Sequence, residues 1–182
     1  VLLAPFAAAD TLRDGTFPQV FTVRPSMADE AFKMVQHCAT IGHNRIAVLG
    51  EDDAMGRAGV AAIEKALKEL KMAPPVATAF VPTNSTKVDA AVAAIGAQKP
   101  RVVIQAALFN TTAAFIRAMR KTGYVGLFMN YSVVGVDPLF VALGKDIRGV
   151  VVSQVVPSPR SAATPIVREY LAAIGNSDQA PS

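Results

Sequence analysis

Short, almost wholly apolar runs alternate along this chain with longer segments in which apolar residues recur at helical spacing. Continuous apolar runs, rather than every second position, are typical of parallel strands buried on both faces. Strands that alternate with helices predict an α/β fold, and right-handed crossovers place helices on both faces of its sheet. We therefore expect a doubly wound parallel sheet in a three-layer αβα sandwich. The strands are predicted over residues 20–23, 45–49, 76–81, 102–106, 127–129 and 150–156.

Capping side chains mark where the helices begin. Ser26, with Asp29 three residues later, has the pattern of a capping box, and Gly42 ends the helix that follows. Thr86 and Asp89 have the same spacing. Further helix starts are predicted at Asn110, at Asp137 before Pro138 and at Thr164 before Pro165. Each of these helices follows a predicted strand.

Length and composition favour a folded domain. The 182 residues correspond to one domain and a fraction, and the 52% apolar, 18% charged composition excludes a disordered or coiled-coil chain. The 18 Lys and Arg are scattered, and their densest group, Arg117, Arg120 and Lys121, is typical of a solvated helix end. We therefore predict no nucleic-acid partner. No apolar run approaches the roughly 18 residues of a membrane span, so we expect no membrane insertion of this chain.

Motifs of common enzyme and cofactor sites are missing from the sequence. His37 and His43 have no Cys or carboxylate at ligand spacing, so no metal site is predicted. There is no nucleophile elbow and no phosphate loop. The turn over residues 49–56 is acidic, and its carboxylates would repel the pyrophosphate of a dinucleotide. We therefore predict no cofactor and no enzymatic activity.

Three loops that follow predicted strands should meet at one edge of the sheet, where open α/β sheets bind their ligands. The acidic turn is one of them, and its Asp53 can cap the helix that follows. The other two loops, over residues 106–110 and 129–133, combine apolar side chains with an amide and hydroxyls. Such a rim suits a small molecule. The candidate contacts are Asp52, Leu108, Phe109, Asn110, Tyr131 and Ser132.

Several segments, in order, resemble the periplasmic solute-binding proteins of branched-chain amino-acid-type ABC transporters, also called extracellular ligand-binding receptors. RIAVLGEDDAMGRAG (45–59) resembles the family's strand, DxxYG motif and helix, and FIRAMRKTG (115–123) resembles its F-x-x-Q-A-x-x-x-G helix. PFAAADTLR (5–13), followed by VFTVRPS (20–26), resembles the exit from the first lobe. The resemblance implies a type I periplasmic-binding-protein lobe, present as a fragment of a two-lobed protein.

The resemblance also implies domain boundaries and further contacts. Residues 1–25 would hold the end of the first lobe and the hinge crossing, and residues 26–156 the second, ligand-binding lobe. Residues 157–182 would form a return segment and a helix of the first lobe. Family ligand contacts, placed on the matching positions of this sequence, add four candidates. They are Met55 on the second lobe and Ala7, Ala8 and Ala9 on the first.

The function implied by the resemblance is capture of a small metabolite between two lobes in the periplasm and its delivery to the permease of an ABC importer. Amino-acid binders of the family often carry Tyr at the position of Met55 and an acid near Ser132 that meets the ligand's ammonium. Because an unpaired buried ammonium is costly, the residues here favour an aromatic or aliphatic carboxylate. A cytoplasmic ligand sensor with the same fold and a Rossmann-type enzyme are the alternatives.

Overall fold

A five-stranded parallel sheet lies at the centre of the structure, a computed structural model that describes residues 1–5 and 12–175. The described residues contain the strands β1 (Leu2–Leu3), β2 (Val20–Phe21), β3 (Ile46–Glu51), β4 (Ala77–Val81), β5 (Val102–Ala106), β6 (Leu127–Asn130) and β7 (Val150–Val152). The order of the large sheet is β4–β3–β5–β6–β7. After β4 the chain crosses back over β3, which creates a topological switch point between β3 and β5.

Helices cover both faces of this sheet. They are α1 (Met27–Thr40), α2 (Ala54–Glu69), α3 (Asp89–Ala97), α4 (Phe109–Lys121), α5 (Val136–Leu143) and α6 (Pro165–Ile174). On one face α1 and α2 contribute residues such as Met34 and Ile63 to a core. On the other face α3, α4 and α5 contribute residues such as Ile95, Phe115 and Leu139 to a second core. The predicted three-layer αβα sandwich is confirmed.

The first two strands stand apart from the large sheet. β1 and β2 pair in parallel only with each other among the described residues, with Leu2 opposite Val20. At the other end, the strand expected over residues 150–156 ends at Val152, although Ser153 N still donates to Asn130 O in β6 at 2.9 Å. The division of the chain at residues 25 and 156 stays a prediction.

The helix starts differ in how well local patterns predict them. The capping box is confirmed, with Asp29 N donating to Ser26 Oγ (3.2 Å) and Ser26 N donating to Asp29 Oδ2 (2.9 Å). The cap predicted at Thr86 is wrong, since α3 begins only at Asp89 and has no side-chain cap. α5 begins at Val136, one residue before the predicted start.

The cap predicted at Asn110 is also wrong. α4 begins at Phe109, after Leu108 in extended conformation, and no side chain caps it. The amide of Asn110 donates instead to Asn84 Oδ1 at 2.8 Å. Leu108, the residue before this helix, makes a tertiary contact that is described with the site below.

Gly59 lets α2 lie directly against the sheet. A Cβ at this position would stand 2.6 Å from Ala106 Cβ in β5 and 2.8 Å from Met27 Cε in α1. The Cβ of Ala106 cannot rotate away, so any side chain at position 59 would push α2 off the sheet.

We expect the substitution Gly59→Ala to lower the free energy of unfolding by about 1–3 kcal/mol, because it overpacks this contact. The matched control is Gly96→Ala in α3, where an added Cβ meets nothing within 4 Å. That change should raise the free energy of unfolding by roughly 0.5–1 kcal/mol through helix propensity. Urea unfolding measures both, and equal shifts in the two variants would contradict the close approach of α2.

Candidate functional site

The carboxyl ends of β3, β5 and β6 bring three loops to one edge of the sheet. We call this edge the carboxyl rim and define it as residues 51–55, 107–111 and 130–133. It includes the switch point between β3 and β5. Ligands of open α/β sheets bind in the crevice outside such a point, so the topology places the candidate site here.

A buried carboxylate joins the loops around the switch point. Glu51, the last residue of β3, is 0% exposed. Its oxygens accept hydrogen bonds from Thr111 Oγ1 (2.5 Å), Asn84 N (2.8 Å) and Leu108 N (3.3 Å). These donors come from α4 and from the loops after β4 and β5. Because Glu51 is buried and has these donors, it holds the rim in shape rather than offering its charge to a ligand.

The two aspartates after Glu51 have different surroundings. Asp53 caps α2, since its carboxylate accepts hydrogen bonds from Gly56 N (2.7 Å) and Thr83 Oγ1 (2.9 Å). Asp52 forms an ion pair with Arg57 in which the two side chains are 50% and 61% exposed. An ion pair so exposed contributes only about 0–1 kcal/mol. Asp52 is therefore a carboxylate of the rim that solvent, and a ligand, can reach.

A second buried carboxylate lies beside Ser132 although it belongs to α1. Ser132 N donates to Glu30 Oε2 at 2.8 Å, and Ser132 Oγ donates to Glu30 Oε1 at 3.0 Å. Arg24 Nη2 lies 3.6 Å from Glu30 Oε1 and donates to Ser132 Oγ at 2.8 Å. The hydroxyl of Ser153, directly after β7, also donates to Glu30. The acid next to Ser132 is thus engaged by an arginine and two serines.

The sequence interpretation placed the hydroxyl of Tyr131 at the rim, and the structure places it in the core instead. The side chain is 1% exposed and belongs to the core under α1 and α2, where its hydroxyl donates to Gly59 O at 2.8 Å. Side chains alternate across a strand, and the alternation of β6 directs position 131 toward the layer opposite that of Asn130. Tyr131 therefore supports the α2 contact and does not present a hydroxyl to a ligand.

The apolar candidates have the accessibility that a ligand wall needs. Leu108 is half-buried and Phe109 is 38% exposed, at the start of α4. Met55 is half-buried against the core of the α1–α2 layer. As ligand contacts, these three, together with Asp52, Asn110 and Ser132, remain predictions. The candidates that fall outside the described residues are Ala7, Ala8 and Ala9.

The sequence interpretation does not identify Glu30 and Glu51 as buried, although both carry a signal. Glu30 lies between Met27 and Met34 at spacings of three and four, on the apolar face of α1. Glu51 continues the apolar run of β3 without a break. A carboxylate in either pattern indicates a group that requires internal partners.

Two further properties of the described residues bear on function. Across residues 1–5 and 12–175, no group of three or more His, Cys, Asp and Glu side chains is arranged to hold a metal ion. Within the same ranges, every helix is too short or too polar to cross a bilayer.

Comparison with known proteins shows that this chain has the fold of a family of binding proteins. A family model described as periplasmic binding protein matches residues 1–182. A substrate-binding periplasmic protein from Ralstonia solanacearum is 29% identical, with a TM-score of 0.81 over 94% of this chain and 48% of that chain. An extracellular ligand-binding receptor from Verminephrobacter eiseniae is 25% identical, with a TM-score of 0.82 over 96% and 50% of the two chains. A comparison with curated proteins finds no match.

A more distant structure shares the fold alone. It is a branched-chain amino acid ABC transporter protein from Thermus thermophilus with bound valine, 16% identical, with a TM-score of 0.80 over 98% of this chain and 47% of that chain. The present chain therefore spans about half the length of these solved structures. Fold and rim define an α/β protein of the ligand-binding class. The chain belongs to the periplasmic binding protein family.

We expect Glu51→Gln to lower the free energy of unfolding by about 1–3 kcal/mol. The new amide NH2 would face Thr111, Asn84 N or Leu108 N, so a buried donor would lose its acceptor. Urea denaturation measures the change. Glu64→Gln on the exposed side of α2 is the matched control, with an expected change below roughly 0.5 kcal/mol. Equal stability of the two variants would contradict the role of Glu51.

Proposed function

We propose that this chain is part of the solute-binding component of an ABC importer, and that it captures a small metabolite in the periplasm for a membrane permease. The observation that carries the proposal is the carboxyl rim, whose loops are held together by Glu51 at the switch point of a periplasmic-binding-protein fold. Rigid loops that surround accessible apolar side chains suit binding. Glu30, Glu51 and Asp53 already accept hydrogen bonds within the protein, and the sequence has no nucleophile motif. Both facts favour binding over catalysis.

The geometry of the rim supports capture of the ligand between two lobes. The candidate contacts line one edge of a sheet, and a ligand lying there is covered from one side only. Binding sites for small molecules normally enclose about 70–90% of the ligand surface. The chain also spans about half the length of its solved relatives, 48% of the Ralstonia protein for example. A second lobe that closes over the rim accounts for both facts.

The charges of the rim favour a carboxylate ligand without an α-amino group. Glu30 and Glu51 are buried and hydrogen-bonded, and Asp53 is used as a helix cap. Asp52 is the rim carboxylate that a ligand can reach, and it is already paired with Arg57. An ammonium would therefore have to displace Arg57 from Asp52, break one of the buried hydrogen bonds or remain unpaired, and an unpaired buried charge is costly. Leu108 and Phe109 offer an apolar wall to a ring or an alkyl chain.

The test is isothermal titration calorimetry on the two-lobed protein that contains this chain. The probes are benzoate, phenylacetate and hexanoate, compared with leucine and valine. We expect at least one of the acids to bind about tenfold or more tightly than either amino acid, which corresponds to about 1.4 kcal/mol. The 182-residue chain alone should bind the same acid far more weakly, and micromolar binding by it would contradict capture between two lobes.

Tighter binding of leucine or valine would overturn the ligand class and would identify Asp52 as the partner of the ammonium. In that case Asp52→Asn should abolish amino-acid binding. Asp89→Asn, at an exposed position in the first turn of α3, is the matched control and should leave affinity unchanged.

A further inference from the structure

A cavity of about 720 Å³ lies at the amino ends of the strands, at the edge of the sheet opposite the carboxyl rim. Three loops form it, from α1 to β3, from α3 to β5 and from α4 to β6. Backbone hydrogen bonds join these loops, from Arg101 N to Arg45 O (2.8 Å) and from Leu127 N to Arg101 O (3.1 Å). The volume is within the range of about 300–1,000 Å³ that is typical of small-molecule sites.

The charges around this cavity are of one sign. Arg45, Lys99 and Arg101 line it, all three are exposed, and the lining contains no Asp or Glu. None of the three forms an ion pair with any described residue. Arg45 is also oriented, because its Nη2 donates to Gln98 O at 2.5 Å. Cations gathered without a carboxylate produce a local positive potential that attracts anions.

The remaining lining includes His43, Gly96 in the last turn of α3 and Thr122 at the end of α4, where helix carbonyl groups carry partial negative charge. The hydroxyl of Tyr124 donates to Leu127 O at 3.3 Å, and burial raises the pKa of Tyr124 to about 12, although nearby Arg120 opposes the shift. The phenol therefore adds no negative charge at neutral pH. Val125 beside it is 91% exposed. The cavity thus combines the cations Arg45, Lys99 and Arg101 with an uncharged phenol and exposed apolar surface.

We propose that this cavity is a second binding site, for a small anion that carries several phosphate or carboxylate groups. It is separate from the carboxyl rim, because the six residues of β3 span about 20 Å between the two edges at roughly 3.3 Å per residue. A ligand at the rim and an anion in this cavity can therefore be bound at the same time. The proposal does not depend on the ligand class inferred for the rim.

The test is calorimetry on the 182-residue chain with two probes, inorganic tripolyphosphate and citrate, at 20 and 200 mM NaCl. We expect saturable binding of at least one probe, and weaker binding at the higher salt concentration because ions screen exposed charges. Binding of tripolyphosphate alone would identify a phosphate site, and binding of citrate alone would identify a carboxylate site. Binding of both probes would identify a general anion site. The absence of binding by both probes at 20 mM NaCl would overturn the proposal.

Charge-removing variants assign the binding to the cavity. Arg101→Gln and Lys99→Gln should each weaken binding by roughly five- to tenfold, as expected for the loss of one nearby charge at the protein surface. Lys87→Gln, at an exposed position before α3, is the control and should change the affinity less than twofold. Thermal melting by circular dichroism should be the same for all three. Equal affinities of the three variants would place the anion elsewhere and refute the site.

Discussion

Burial of both faces of the inner strands β3 and β5 restricts where their polar side chains can lie. β3 and β5 are buried along their whole lengths, so polar groups in them need partners inside the protein. The polar residues lie near the carboxyl ends, where Glu51 bonds to three donors and Gln105 Nε2 donates to Asn130 Oδ1 at 3.0 Å. Asn130 Nδ2 in turn donates to Val151 O at 2.9 Å. Behind the loops of the rim there is thus a hydrogen-bonded layer.

The architecture could be predicted from sequence because it follows from local patterns. The inner strands are runs of apolar residues because helices cover both faces of the sheet. The apolar stripe along each helix is the side that packs against the sheet. The capping box at Ser26 and Asp29 is local as well, with both partners within three residues. The wrong helix start at Asn110 involves a contact that is not local. α4 begins where Glu51, 57 residues earlier, holds Leu108 N, and no local pattern contains that contact.

The site was predictable as a set of loops but not as a set of contacts. Topology alone brings the ends of β3, β5 and β6 to one edge, so the rim positions of Asp52, Phe109 and Ser132 follow from the strand order. Whether a side chain reaches the rim depends on which way it points at the end of the strand. Tyr131 points into the core between the sheet and the α1–α2 layer, whereas its neighbour Ser132 does not. Glu30 lies 102 residues from Ser132 in sequence, so their hydrogen bonds could be seen only in the folded structure.

The contacts of Glu30 have a mechanical consequence. The chain approaches the large sheet through the segment that holds Arg24 and leaves β7 through Ser153, and both residues contact this one carboxylate. These two segments are therefore held at a common side chain instead of at separate ones. Loss of this one carboxylate would therefore remove the shared partner of Arg24, Ser132 and Ser153 at the same time.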